Sequence, residues 1–149
     1  MARYAVKVDL PPGVAGFSPA VALEYDMGHG QGPVGIGWSL DVGCVRRQTD
    51  KGLPRYIEDD GVTPEADRYI GMEDEELVRL KNGYYLAKVE GTYLRYERVG
   101  DHWAARTKSG ILLEFGVTAE ARVADATGQK IFKWLLERQT DLHGNVIQY

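Results

Sequence analysis

Apolar and polar residues alternate along most of this chain, and turn residues break the alternation at short intervals. In residues 3–9, Tyr4, Val6 and Val8 alternate with Arg3, Ala5, Lys7 and Asp9, the period-two pattern of a half-buried strand. Leu10-Pro11-Pro12-Gly13 ends it, because proline cannot donate to a strand ladder. Residues 19–25 predict a second strand with Val21, Leu23 and Tyr25 on one face. Residues 38–46 predict a third, with Gly43 marking a bulge.

The middle of the chain reads as a meander. Asn82-Gly83 predicts a hairpin turn of type I′, with both residues at positive φ, joining 77–80 to 84–89. Glu90-Gly91, Gly100-Asp101 and Ser109-Gly110 predict the next three turns. Between them, Trp103/Ala105/Thr107 and Ile111/Leu113/Phe115 each form one strand face. Two windows, 73–80 and 119–126, fit a helical turn or two as well as a strand. Residues 130–140 predict a long strand that sets Phe132, Trp134 and Leu136 on one face. Asp141-Leu142-His143-Gly144-Asn145 is the turn after it. An Asp141 carboxylate can bond the backbone two residues on, and Gly144 and Asn145 tolerate positive φ. Residues 146–149 begin a further strand with no partner in sequence, which predicts an open edge and a chain belonging to a larger sheet. The expected fold is all-β, one antiparallel meander domain over 1–149, with a long acidic loop at 57–67.

Glycines concentrate in one stretch, Gly28-His29-Gly30-Gln31-Gly32-Pro33-Val34-Gly35-Ile36-Gly37-Trp38. Glycine serves where φ is positive or another backbone comes close. Gly30, Gly32, Pro33, Gly35 and Gly37 are therefore expected to shape a corner of the sheet, with Trp38 as its anchor. Gly30-x-Gly32-x-x-Gly35 also spells a dinucleotide fingerprint. That motif needs a helix opening at its glycines, and Pro33-Val34-Gly35-Ile36-Gly37 cannot open one.

Composition narrows the chemistry. At 149 residues the chain has the length of one domain that buries about two-thirds of its unfolded surface. A net charge of −4 argues against binding nucleic acid by a basic face. The single cysteine, Cys44, excludes an internal disulfide framework; its apolar neighbours predict a buried, inert thiol. No apolar run is long enough for a membrane-spanning helix. His29, His102 and His143 lie far apart, each in or beside a turn. Ser18, Ser39 and Ser109 lack the setting of a nucleophile. The polar connection 46–56 carries four basic residues, offset by the acidic run Glu58-Asp59-Asp60. No catalytic, cofactor-binding or metal-binding residue is expected. If the chain binds a ligand, Tyr84, Tyr85, Tyr93, Tyr96 and Trp103 are the aromatic candidates, with a carbohydrate or a protein surface as the partner.

Several motifs in order carry a resemblance. They are Leu10-Pro11-Pro12-Gly13, Phe17-Ser18-Pro19, Leu23-Glu24-Tyr25 and Gly30-x-Gly32-Pro33-x-Gly35-x-Gly37-Trp38-Ser39-Leu40. Further along come Thr49-Asp50-Lys51-Gly52-Leu53-Pro54-Arg55-Tyr56, Gly100-Asp101-His102-Trp103 and Glu114-Phe115-Gly116. Lys133-Trp134-Leu135-Leu136 and Asp141-x-His143-Gly144-Asn145-x-Ile147-x-Tyr149 close the set. Together they resemble the SpvB-like domain that opens the B subunits of bacterial insecticidal Tc toxins, and the last piece is similar to the Rhs (YD-repeat) consensus. The resemblance implies a fragment of a Rhs-type β-shell that encloses a toxic cargo and is secreted as part of a toxin complex. Its implied partners are the remainder of the shell chain and the cargo, with self-association through open edges in an isolated piece. In such a shell Trp38 and Trp134 pack the sheet. Some relatives carry an ADP-ribosyltransferase after this domain, and no residue here corresponds to it.

Overall fold

The computed structural model describes residues 3–19, 21–28, 30–32, 34–50, 52–72, 74–87 and 93–149. The chain divides into two compact units, Met1–Val42 and Gly43–Tyr149. All strand pairs are antiparallel.

In the first unit, β1 (Arg3–Val8), β2 (Val21–Asp26) and β5 (Trp38–Asp41) form a three-stranded sheet in that order. Two-residue strands β3 (Gln31–Gly32) and β4 (Gly35–Ile36) make a small hairpin between β2 and β5. The glycine stretch is therefore a hairpin arm joining two paired strands. Of the half-buried face expected of β1 only Val8 is half-buried, with Tyr4 66% and Val6 40% exposed.

The second unit holds the core. Its strands are β6 (Cys44–Arg47), β7 (Tyr69–Ile70), β8 (Leu77–Arg79), β9 (Tyr85–Ala87), β10 (Leu94–Val99), β11 (His102–Thr107), β12 (Leu112–Phe115), β13 (Arg122–Ala124), β14 (Ile131–Thr140) and β15 (Val146–Gln148). Eight of them follow one path, β7-β6-β14-β12-β11-β10-β9-β8. A bridge between Ile70 and Glu76, and a Gly71 N to Glu75 O hydrogen bond of 2.9 Å, bring the two ends of the path together. The sheet is thus a nearly closed barrel. The strand expected over 38–46 is two strands in different sheets, and Gly43, at φ +93, lies where they part.

The meander β8–β12 follows the turn residues of the sequence. At Asn82-Gly83, Gly83 has φ +87 and Asn82 does not reach positive φ, so the turn is not type I′. Leu80 N donates to Tyr84 O (2.7 Å) and Gly83 N to Leu80 O (3.0 Å). These bonds define a three-residue loop with glycine in the left-handed region at its last position. The same arrangement recurs at Gly110 and Gly144. Of the two ambiguous windows, the first holds β8 and the second a single 3-10 turn, Ala119–Ala121, followed by β13.

β14 is the hub. Its first half lies between β13 and β6, and its second half between β12 and β15. Two register shifts interrupt it, opposite Val123/Ala124 and opposite Glu114/Phe115. An extra residue reverses the inside–outside parity of all that follows. Ile131, Trp134 and Leu136 are therefore the buried set, and Phe132 is only half-buried, contrary to its expected place beside Trp134. β15 pairs with β14 as a hairpin, so the closing strand has one partner.

Candidate functional site

Alternation along β6 sends Val45 and Arg47 into the barrel and leaves Cys44 half-buried on the other face, not fully buried as expected. Arg47 is 3% exposed, and a charge so placed needs partners. Its Nε donates to Ile131 O (2.8 Å) and its Nη2 to Glu58 Oε1 (2.8 Å). Its Nη1 donates to Asp67 Oδ2 (3.1 Å) and to the Tyr69 hydroxyl (3.3 Å). The guanidinium also lies over the rings of Tyr56, Tyr69 and Trp134, 5.0 to 5.5 Å from their centroids. Asp67 accepts the backbone N–H groups of Arg55 (2.9 Å) and Tyr56 (2.7 Å). This network fastens the strandless segment 52–68 to the barrel.

Glu58 is the outer member. Burial pushes its carboxyl up, but the Tyr69 and Arg47 hydrogen bonds and the Arg98 charge outweigh that and hold it below its ordinary value. Burial and the hydrogen bond to Glu58 push the Tyr69 phenol up. Arg98 Nη1 lies 3.5 Å from Glu58 Oε2, and its Nε donates to Gly100 O (2.9 Å). The Arg98 guanidinium sits 4.6 Å from the Trp134 ring centroid and 5.6 Å from that of Trp103. Both indoles are fully buried. Trp134 Nε1 donates to Asp101 O (2.8 Å), whereas among the described residues Trp103 Nε1 and Arg98 Nη1 are buried with no hydrogen-bond partner, the latter having only its ion pair with Glu58.

Beside this network opens a cleft of about 550 Å³, walled by Glu58 and Asp59, by the loops at 82–84 and 100–101, and by Arg79, Tyr85, Glu97 and Arg98. The Tyr85 phenol, raised by burial and by the Asp59 charge, is pushed up to about 12. The arrangement supplies fixed hydrogen-bond donors and acceptors at a barrel end, a common place for ligand sites. Among the described residues no group of three or more His, Cys, Asp or Glu side chains is placed to hold a metal. Ser18 Oγ accepts from Gly13 N (2.7 Å), and Ser109 Oγ pairs with Thr107 Oγ1 (2.9 Å).

The residues singled out from sequence fall in three places. Gly30, Gly32, Gly35, Gly37 and Trp38 lie in the hairpin arm, and Pro33 lies outside the described residues, as do His29 and Glu90-Gly91. Gly35 (φ +123) and Gly37 (φ +81) occupy positive φ, whereas Gly30 does not. Trp38 is half-buried, 5.3 Å from the Tyr25 ring. Trp134 stands at the barrel centre. In the third place, the Asp141 carboxylate accepts from His143 N, Asn145 N and Asn145 Nδ2 at 2.8 to 2.9 Å, with Gly144 at φ +83. Of the aromatic candidates, Tyr85, Tyr96 and Trp103 belong to the core. Tyr93 is 54% exposed, and Tyr84 is half-buried with Arg95 4.5 Å from its ring centroid. Sequence reading missed Arg47, Glu58 and Asp67. The available signal was the two-residue spacing of Arg47 from Val45, which puts both on one strand face.

These features define a class: an all-β antiparallel domain whose nearly closed barrel is packed with aromatic residues and pinned by a buried arginine. The chain belongs to the SpvB family, described as Salmonella virulence plasmid 65kDa B protein, whose model matches residues 1–149. Mono(ADP-ribosyl)transferase SpvB of Salmonella typhimurium is 30% identical over 90% of this chain, which spans 27% of that relative's length. The N-terminal domain of effector protein SpvB from Salmonella typhimurium superposes with a TM-score of 0.73 at 27% identity, over 97% of this chain and 53% of that one. A TcdB2-TccC3-Cdc42 crystal structure superposes with a TM-score of 0.76 at 26% identity, over 99% of this chain and 8% of that one. The Photorhabdus luminescens Tc holotoxin pore gives 0.74 at 27% identity, over 97% of this chain and 8% of that one. The matched regions are thus an effector's N-terminal domain and a small part of a Tc toxin chain.

Proposed function

We propose that this chain is a non-catalytic structural module that contributes wall strands to a β-shell enclosing the toxic cargo of a Tc/Rhs-type bacterial toxin. In this role it acts as one SpvB-like unit, exported as part of the complex, with the remaining shell strands and the cargo as its partners. The observation that carries the reading is the superposition of 99% of this chain on a small segment of the TcdB2-TccC3 assembly. A pinned barrel with an aromatic core suits a shell wall, because buried ring contacts and a fully partnered arginine resist local opening. In this reading the hairpin arm with Gly37 and Trp38 shapes the sheet of the first unit, and the Trp134 core and the Asp141 turn shape the second.

The test is a chimera in which this chain replaces the matched segment of TcdB2-TccC3. We expect assembly and protection of the TccC3 hypervariable C-terminal region from added protease. A folded, assembled chimera that leaves this region as digestible as the free polypeptide would refute the role.

A further inference from the structure

β1 is an edge of the three-stranded sheet. Among the described residues no strand lies on its outer side, and Arg3, Tyr4, Ala5, Val6 and Lys7 are all exposed. The register shows which backbone groups face outward. Asp26 N donates to Gly37 O (2.9 Å), so Asp26 turns its backbone groups toward β5. Successive residues of a strand alternate in this respect, so Tyr25, Leu23 and Val21 turn toward β1, where they meet Tyr4, Val6 and Val8. Arg3, Ala5 and Lys7 therefore turn their N–H and C=O groups away from β2. An exposed edge of this kind is a template for another strand.

The side chains decide which strand fits. Tyr4, Tyr25 and Trp38 form one lateral row, and Val6, Leu23 and Leu40 the next, on the same face of the sheet. The opposite face carries Arg3 beside Asp26, then Ala5, Glu24 and Ser39, then Lys7, Ala22 and Asp41. A fitting strand is apolar on the first face, polar on the second, and bonds through its polar-face residues. β1 of a second copy, run antiparallel, meets that description when odd-numbered residues face odd-numbered ones. Three such registers overlap most of the strand. With Ala5 opposite Ala5, Arg3 faces Lys7; with Lys7 opposite Lys7, two ammonium groups meet. Like charges directly opposite are destabilising. With Val6 opposite Val6, Tyr4 faces Val8, Ala5 faces Lys7, and Arg3 faces the exposed Asp9. Arg3, with a side chain 78% exposed, holds Asp26 through Nε at 3.2 Å and keeps its terminal donors for a second carboxylate. Pro11, the next residue to bond outward, has no N–H, so the ladder ends at Asp9.

We infer that β1 is a self-pairing edge: two copies of this chain join through antiparallel β1 strands, with Val6 on the two-fold axis and Arg3 of each copy against Asp9 of the other. The pairing extends the three-stranded sheet across two chains and continues its apolar face without a break. It uses the first unit alone and is independent of the shell reading.

The test is sedimentation equilibrium on the full 149-residue chain, joined to disulfide trapping. One strand pair buries less than about 1,200 Å², so a weak dimer is expected, half-formed between about 10 µM and 1 mM. Asp9→Arg sets Arg3 against a like charge at both ends of the ladder and should raise the dissociation constant about tenfold. High salt should shrink that difference. Val6→Cys places two thiols directly opposite, with Cα atoms about 4.5 Å apart, and should give a disulfide-linked dimer under mild oxidation. Ala5→Cys leaves its two thiols on a diagonal with Cα atoms about 8 Å apart and should not. The parent chain, whose single cysteine is Cys44, is the blank, and thermal melting checks that each variant folds. The inference is overturned if the chain is monomeric at 1 mM, if Ala5→Cys links as readily as Val6→Cys, or if folded Asp9→Arg dimerises as the parent does. The last result would mark a dimer made through the apolar face instead of the edge.

Discussion

Replacing Arg47 by methionine keeps most of the buried stem and removes the charge. The change deletes four hydrogen bonds, to Ile131 O, Asp67, Tyr69 and Glu58. Glu58, with a side chain 57% exposed, regains water; Asp67, at 8%, does not. Breaking a buried ion pair from one side costs about 3–5 kcal/mol, mostly for the charge left behind. Asp67 keeps two backbone donors, at Arg55 and Tyr56, so the lower end, about 3 kcal/mol, is expected. With a urea slope of about 2 kcal/mol per molar, the unfolding midpoint falls by about 1.5 M. Adding Asp67→Asn removes the stranded charge and should return part of that loss. Hydrogen exchange at the Tyr56 and Asp67 amides should quicken in the single variant, because the segment 52–68 loses its fastening. A midpoint shift below about 0.5 M, or a double variant no more stable than the single one, refutes the reasoning.

Gly37→Val should destabilise by at least about 2 kcal/mol, since it combines left-handed backbone with a Cβ only 2.5 Å from Tyr25 Cε2. Gly30→Val, with open space and no positive φ, should stay within about 0.5 kcal/mol; equal melting temperatures would contradict this. Trp134→Phe should cost about 1 kcal/mol more than Trp103→Phe by urea unfolding, because it also strands the Asp101 carbonyl, whereas Trp103 Nε1 has no partner to lose. The folded-state carboxyl of Glu58 is held below its ordinary value of 4.5, so its contribution is present above pH 4.5 and lost as pH falls further. Glu58→Gln should flatten the acid side of the stability profile, and an unchanged slope below pH 4.5 would count against it.

Much of the second unit was legible in the sequence. Strict alternation in 103–107 and 111–115 placed Trp103, Ala105, Leu113 and Phe115 on the inner face, where they are buried. Turn residues marked the hairpins at Gly83, Gly100, Gly110 and Gly144, since positive φ is a local demand that glycine meets at low cost. The turn type at Asn82-Gly83 was not legible, because the same dipeptide serves two loop lengths. The candidate site was less legible still. Arg47 lies in a basic stretch that looks solvated, and its partners Glu58, Asp67 and Ile131 are 11, 20 and 84 residues away. Strand aromatics look alike whether they face a core or a ligand, and Tyr85, Tyr96 and Trp103 proved to be core.

The sequence by itself determined the all-β class, the order of the hairpins and the family, because local alternation, turn residues and ordered motifs are written residue by residue. Only the tertiary structure decided that the path nearly closes through Ile70 and Glu76, and that residues 38–41 and 44–47 belong to different sheets. It also decided that two register shifts in β14 bury Ile131 in place of Phe132, and that an arginine stands inside a barrel. Each of these depends on which distant strand lies alongside, and a two-residue period carries no information about its partner.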